Sequence, residues 1–349
     1  MISLSKIDHI FHQFSDEKIV LAEPISGGHI QSTLKIHTEC NNRYILQKIN
    51  PMYGTGSTEN AFWVTSFLKR RRIPTLNIIP APDHRPYTSF EDEIWRCTSY
   101  IEGSNYPEVK SAHIAYRAGA GLAQFLVAMT DFPDFIQKCA VDFRAQDPIH
   151  ASQYHYKKCT EITENEKNSG IKKLSTEILA NLERSFLPSN LRTLFTHGDP
   201  KIQNFMFGSE NQPGTMIDLD DVGNQLNPLY DIGDGFRSWC CQPTGPDNAF
   251  FNLEKFYEGW KGFMSKAPAL LMDEEYLLVP QAIRLISLEL ASRFLRDYYQ
   301  DYYFSWSPEL YASRKDHNLA RAQRFYKLSE SVWNQKDDID QIIERSRRS

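Results

Sequence analysis

Ile7, Ile10, Phe11 and Phe14 recur at i, i+3, i+4 and i+7, the apolar stripe of a short opening helix. The period then shortens. Residues 19–25, 30–37 and 44–49 are brief, partly alternating runs broken by Gly27-Gly28 and Asn41-Asn42, which predicts an antiparallel meander. Residues 59–72 read as a helix stopped at Ile73-Pro74, and 93–101 as a further strand leading into Glu102-Gly103-Ser104. From about Pro107 the pattern is mostly helical, with apolar stripes over 109–129, 171–187, 250–264, 274–300 and 316–334. One interruption, residues 195–223, holds two β-like runs, Phe205–Phe207 and Thr215–Ile217, around a polar Gly/Pro turn. The predicted class is α+β, with a small antiparallel-sheet lobe over residues 1–103 and an α-rich lobe over residues 104–349.

Composition narrows the function classes. The 349 residues suit two lobes, and 39 Lys+Arg against 44 Asp+Glu give a net charge of −5, which argues against a nucleic-acid partner. The basic run Lys69–Arg72 reads as a solvated helix end. Six cysteines without a C-x-x-C pair read as reduced thiols, the N-terminus lacks a basic region followed by an apolar one, and no uncharged apolar run approaches 18 residues. The expectation is a cytoplasmic protein with no membrane partner.

The chemistry concentrates in the interruption. If Phe205–Phe207 pairs with Thr215–Ile217 so that Phe205 faces Ile217, Asn204 faces Asp218, and their side chains lie about 5 Å apart. An amide oxygen beside a carboxylate is a natural site for Mg²⁺, which takes few protein ligands and fills its shell with water and phosphate oxygens. Asp220, two residues on, adds negative charge and is a third candidate ligand. Upstream, His197-Gly198-Asp199 ends a strand-like run in a loop that Pro200 keeps from turning helical at once. The Asp199-to-Asn204 spacing is that of a kinase catalytic loop, where the Asp receives the acceptor's proton and the Asn holds metal. His197 reads as a buried brace for that loop.

These motifs carry a family resemblance across nearly the whole chain: HGDPKIQNFMF at 197–207, MIDLDDV at 216–222, YDIGDGFRS at 230–238, GGHIQST at 27–33 with YILQKIN at 44–50, ASRFLRDYY at 291–299 and DHNLARA at 316–322. The sequence resembles the aminoglycoside phosphotransferase and choline kinase superfamily, and within it the N-acetylhexosamine 1-kinases. The resemblance implies a bilobal protein-kinase-like fold, ATP as phosphoryl donor, Asp199 as catalytic base, and Asn204 and Asp218 as Mg²⁺ ligands. It implies Gly27 and Gly28 over the nucleotide, and adenine against the strand end at Ser99 and Ile101. His29, Asp234 and Arg293 would lie near the acceptor, an amino sugar phosphorylated on its anomeric hydroxyl. Lys48 is the candidate phosphate contact, yet strand alternation puts Gln47 and Lys48 on opposite faces and Leu46-Gln47 competes for the family's lysine register. Two readings stand beside the sugar kinase: an O-phosphotransferase for an aminoglycoside, choline-like amine or amino alcohol, and a catalytically silent nucleotide-binding module.

Overall fold

The computed structural model describes residues 3–25, 32–51, 53–132, 157–161, 163–164, 167–223, 225–301 and 303–348. After α1 (Leu4–Phe11) come β1 (Ile19–Pro24), β2 (Ser32–Thr38), β3 (Arg43–Ile49), α2 (Gly54–Arg70), β4 (Ile78–Ile79), β5 (Thr88–Phe90) and β6 (Glu93–Ser99). The strands form one antiparallel sheet in the order β1-β2-β3-β6-β4, with β5 also on β6. Alternation sorts its two faces. Leu34, Ile36, Leu46, Trp95 and Cys97 point to one side, where Ile7, Ile10 and Phe11 of α1 close over them. Gln47 and Arg96 share the other face, which looks toward the helical part of the molecule.

That part continues with α3 (Ala112–Met129), α4 (Ser169–Arg184), β7 (Leu194–Phe195), β8 (Phe205–Met206), β9 (Thr215–Met216), β10 (Gln225–Leu226) and α5 (Leu229–Trp239). It ends with β11 (Cys241–Gly245), β12 (Asn248–Phe251), α6 (Leu253–Met264), α7 (Asp273–Leu277), α8 (Val279–Gln300), α9 (Arg314–Asn334) and α10 (Lys336–Arg348). α3 packs on α6, and α8 lies between α5 and α9. Phe236, Phe256, Trp260 and Phe263 stack through the centre with neighbouring rings 4.9–5.9 Å apart. The α+β class and the small-sheet, large-helical division agree with the sequence reading. No helix among the described residues is long and apolar enough to cross a membrane.

Three expected elements are corrected. Residues 250–264 do not form one helix: Ala249 and Phe251 alternate inward as β12, and Asn252 then caps α6 by accepting the Lys255 N–H. The stretch 274–300 breaks at Leu278, and Pro280, which lacks an N–H, sits in the first turn of the new helix. The hairpin is shifted by one residue: Phe205 opposes Met216, and Met206 opposes Thr215. The cause is a seat for two rings. Phe205 and Phe207 stack 6.0 Å apart over Gly214, where a Cβ would meet them at 2.8 and 2.9 Å. Ser104, just past the sheet, exchanges backbone hydrogen bonds with Phe207 and ties the linker to the hairpin.

Candidate active site

β7 delivers the chain into the loop 196–204, whose shape is held from outside. Asp231, buried in the first turn of α5, accepts the N–H groups of His197 (2.7 Å) and Gly198 (3.0 Å). Gly198 has φ +88°, and a Cβ there would stand 2.9 Å from that of Asp221, so glycine lets the loop pass. The Asp199 N–H donates to His197 Nδ1 (3.3 Å), and Nε2 of the same ring bonds the Ile217 carbonyl (3.0 Å). Burial pushes the His197 pKa down to about 4, so the neutral ring braces the loop, as the sequence reading expects. Asp231→Ala strips both amides of their acceptor and is expected to cost about 2–4 kcal/mol. Urea unfolding measures it, and an unchanged midpoint would show that the loop holds itself.

Asp199 stands at the loop's apex. Its Oδ2 takes the Lys201 ammonium and, at 3.0 Å, Asn204 Nδ2, which also donates to the Asp199 carbonyl at 2.8 Å. Burial pushes the Asp199 carboxyl up, but Lys201, with smaller help from His197 and Arg237, outweighs it and holds the acid below its ordinary value. With Nδ2 spent on Asp199, the Asn204 Oδ1 is left without a hydrogen bond among the described residues.

Asp218 is not the cross-strand neighbour of Asn204. The shifted register gives that place to Ile217, whose N–H bonds the Asn204 carbonyl (2.8 Å). Asp218 follows in a left-handed turn, φ 61°, which breaks the alternation and carries it to the charge cluster of Asp199 and Lys201. Water reaches its carboxylate, yet the recess is crowded: burial, then Asp220, raise its pKa to about 7 against the pull of Lys201. Asp221 is likewise held well above its ordinary value, by burial and then by Asp199 and Asp218. Tyr53, at the start of α2, faces Asp221, Asp220 and Asp218 and is held neutral by burial and their charge.

Asp220 departs from its expected role. It is 2% exposed and accepts from Arg96 Nη1 of β6 at 2.6 Å, so it serves as a buried counter-ion and not as an open metal ligand. Lys48 departs too. Opposite Trp95 on the α1 face, it binds Glu93 Oε1 at 2.5 Å, and Lys6 of α1 binds the same carboxylate. The Ser99 N–H is already given to the Asn77 carbonyl (2.9 Å), whereas Ile101 makes no backbone hydrogen bond among the described residues. Gly27, Gly28 and His29 lie outside the described residues.

Close enough to feel the charge of Asp199, Asp234 binds Arg237, and Arg293 Nε binds Glu289 at 2.9 Å. Burial lowers the Arg293 pKa, but the charges of Glu289, Tyr303, Asp234 and Asp199 together outweigh it and raise it. Asp234 Oδ2 is buried and lacks a hydrogen-bond partner.

Sequence reasoning missed Lys201, Arg96 and the clamping part of Asp231. Lys201 was visible two residues after Asp199. Arg96 left a subtler signal, a cation in the middle of the apolar strand EIWRCTSY.

The donor set fits a divalent cation. Asp199, Asp218, Asp220 and Asp221 stand as four carboxylates against the two cations Lys201 and Arg96, and burial first, with that excess of negative charge second, raises Asp218 and Asp221. One open carboxylate with one amide oxygen is the sparse set that magnesium accepts.

The model of the phosphotransferase enzyme family (APH) matches residues 22–262. A crystal structure of an aminoglycoside phosphotransferase from Alicyclobacillus acidocaldarius superposes with a TM-score of 0.66 at 12% identity, covering 99% of this chain and 97% of that one. A microcompartment-associated aminopropanol kinase gives 0.65 at 14% identity over 96% and 98% of the two chains. Amicoumacin kinase hAmiN, in complex with AMP-PNP, Ca²⁺ and Ami, gives 0.62 at 13% over 97% and 94%. At these identities the likeness is one of fold.

Proposed function

Since this chain belongs to the phosphotransferase enzyme family, we propose that it is an ATP- and Mg²⁺-dependent kinase for an uncharged polyhydroxy acceptor, the anomeric hydroxyl of an N-acetylhexosamine. The nucleotide would lie between the sheet and the helical part, in two lobes meeting near residue 103. Asn204 Oδ1 and Asp218 would hold the ion, which when bound neutralises charge on the donor's phosphate oxygens. Asp199 accepts the acceptor hydroxyl's hydrogen bond and then its proton. Its lowered pKa makes it a weak base, which suffices because a loose phosphoryl-transfer transition state needs the nucleophile aligned more than ionised. Lys201 holds Asp199 oriented and brings positive charge to the reacting region.

The observation that carries the acceptor class is the pairing of three of the charges near Asp199. These three acids have a base close in sequence: Lys201 on Asp199, Arg237 on Asp234, Arg293 on Glu289. Acids paired in this way offer less charge to an ammonium group than free carboxylates would, while the Asp234 Oδ2, buried without a partner, is an unspent acceptor for a hydroxyl. A second reading, an amino alcohol or aminoglycoside O-phosphotransferase, draws on the names of the relatives, which include an aminoglycoside phosphotransferase and an aminopropanol kinase.

An ADP-release screen with N-acetylglucosamine, N-acetylgalactosamine, plain hexoses, choline, 1-amino-2-propanol and kanamycin separates the two. An N-acetylhexosamine is expected to exceed the amines by about 100-fold in kcat/KM, with product NMR placing phosphate on the anomeric oxygen. Turnover of an amine with none of the sugars would overturn the sugar reading and favour the second.

A further inference from the structure

Resting on the kinase reading above, we infer that Arg96, and not a lysine of β3, is the cation that the sheet presents to the phosphates of the donor nucleotide. The β3–β6 register decides which side chains share a face. Lys48 stands opposite Trp95, and Gln47 stands opposite Arg96. Trp95 lies beneath α1, so Lys48 belongs to the back of the sheet, where Glu93 and Lys6 complete a charge cluster of its own. No rotamer of Lys48 moves it through the strand to the other side.

Arg96 occupies the face that Lys48 lacks. Its side chain is 3% exposed, and it is anchored at two points: Nη1 on Asp220 Oδ1 at 2.6 Å and Nη2 on Gln47 Oε1 at 2.5 Å. Its Nε–H is buried with no hydrogen-bond partner. A buried, unspent donor on a charged group is expensive to maintain, and a structural ion pair alone does not account for it. Asp220 is two residues from Asp218, so the guanidinium stands beside the carboxylate proposed to meet the metal. A planar, permanently charged fork also suits phosphate oxygens, because it can hold its neighbours and still donate to an incoming anion. Gln47 and Asp220 are thus positioning residues that set the plane of the fork, and Arg96 is the phosphate-binding group.

The test compares Arg96→Met, Arg96→Lys and Lys48→Met in the full-length protein, using calorimetric titration with Mg²⁺·AMP-PNP and with adenosine, and steady-state KM for ATP. Arg96→Met is expected to weaken AMP-PNP and raise the ATP KM by about 10- to 100-fold, while adenosine affinity stays within about threefold, since adenosine carries no phosphate. Arg96→Lys should recover part of the loss, and Lys48→Met should stay within about threefold of wild type. Removing the guanidinium strands Asp220 as a buried charge. If Arg96→Met fails to fold, the double variant Arg96→Met/Asp220→Asn removes both charges and should show the same selective loss of AMP-PNP. An equal loss of adenosine and AMP-PNP would show a structural residue and overturn the inference, as would a phosphate-specific loss confined to Lys48→Met. Either result, with wild type still turning over ATP, leaves the kinase reading standing, whereas a wild type that binds no adenine nucleotide overturns both.

Discussion

Asp199→Ala is expected to lower kcat about a thousandfold, within the range for removing a positioned proton acceptor, while the KM for ATP changes little. Every contact that orients the loop supports this asymmetry. His197 and Asp231 hold the backbone, so the carboxylate can be removed without dismantling the turn. The variant does lose the Lys201 and Asn204 contacts, a cost of about 1 kcal/mol at this partly exposed site. Asp199→Asn is the stricter comparison, because the amide keeps the shape and can bond Lys201 but cannot take a proton. Either variant retaining more than about a tenth of wild-type kcat would remove Asp199 from the reaction. Initial rates at saturating ATP and acceptor, with a melting curve for each protein, separate a chemical defect from a folding one.

Asp218→Asn is expected to abolish detectable turnover, with kcat down about a thousandfold or more, and at the same time to stabilise the ligand-free protein at pH 8. The two effects share one cause. Asp218 sits in a crowded, negative recess that raises its pKa to about 7, so above that pH its charge opposes folding. The sign follows from linkage: a carboxyl whose pKa is higher in the folded state contributes stability at low pH that is lost as the pH rises through about 7. Because water reaches the group, the full shift overstates the gain, and about 1 kcal/mol is expected after allowing for solvent screening. Differential scanning calorimetry should therefore show the wild-type melting temperature falling from pH 6.5 to 8, and Mg²⁺ restoring more of it at pH 8 than at pH 6.5. Asp231, also raised to about 7, adds a slope of the same sign that persists in the variant and ignores Mg²⁺. A wild-type melting temperature indifferent to Mg²⁺ at pH 8 would count against the metal site.

Much of this was legible along the chain, for reasons that differ by residue. The opening helix and the meander were readable because their apolar spacing follows a single local period, as Leu34, Ile36 and Leu46 beneath α1 show. The grouping of Asp199 with Asn204 was readable because both lie on one short loop, where five residues of separation leave few geometries. The cross-strand pairing of Asn204 with Asp218 was not, because the hairpin register depends on two phenylalanine rings finding Gly214, a contact no alternation rule contains. The same shift, with the left-handed turn at Asp218, separates the fates of Asp218 and Asp220, which two-residue spacing puts on one side. Lys48 drew attention as a cation in a recognisable motif. Its actual face was settled by its phase against Trp95, and the cation on the opposite face, Arg96 across from Gln47, lies on a strand nearly fifty residues later.

The local pairing of acids and bases around the acceptor side has an evolutionary corollary. Three carboxylates there are each paired with one neighbour only two to four positions along the chain, so a single codon change at Arg237 or Arg293 leaves Asp234 or Glu289 without its cation, an acid that an incoming ammonium group would ionise, without touching the loop that carries Asp199. If the acceptor is the neutral sugar proposed above, a descendant lineage reaches cationic acceptors in one step and keeps its phosphate-handling half intact. On this scaffold, a new preference for amines is a short mutational distance away.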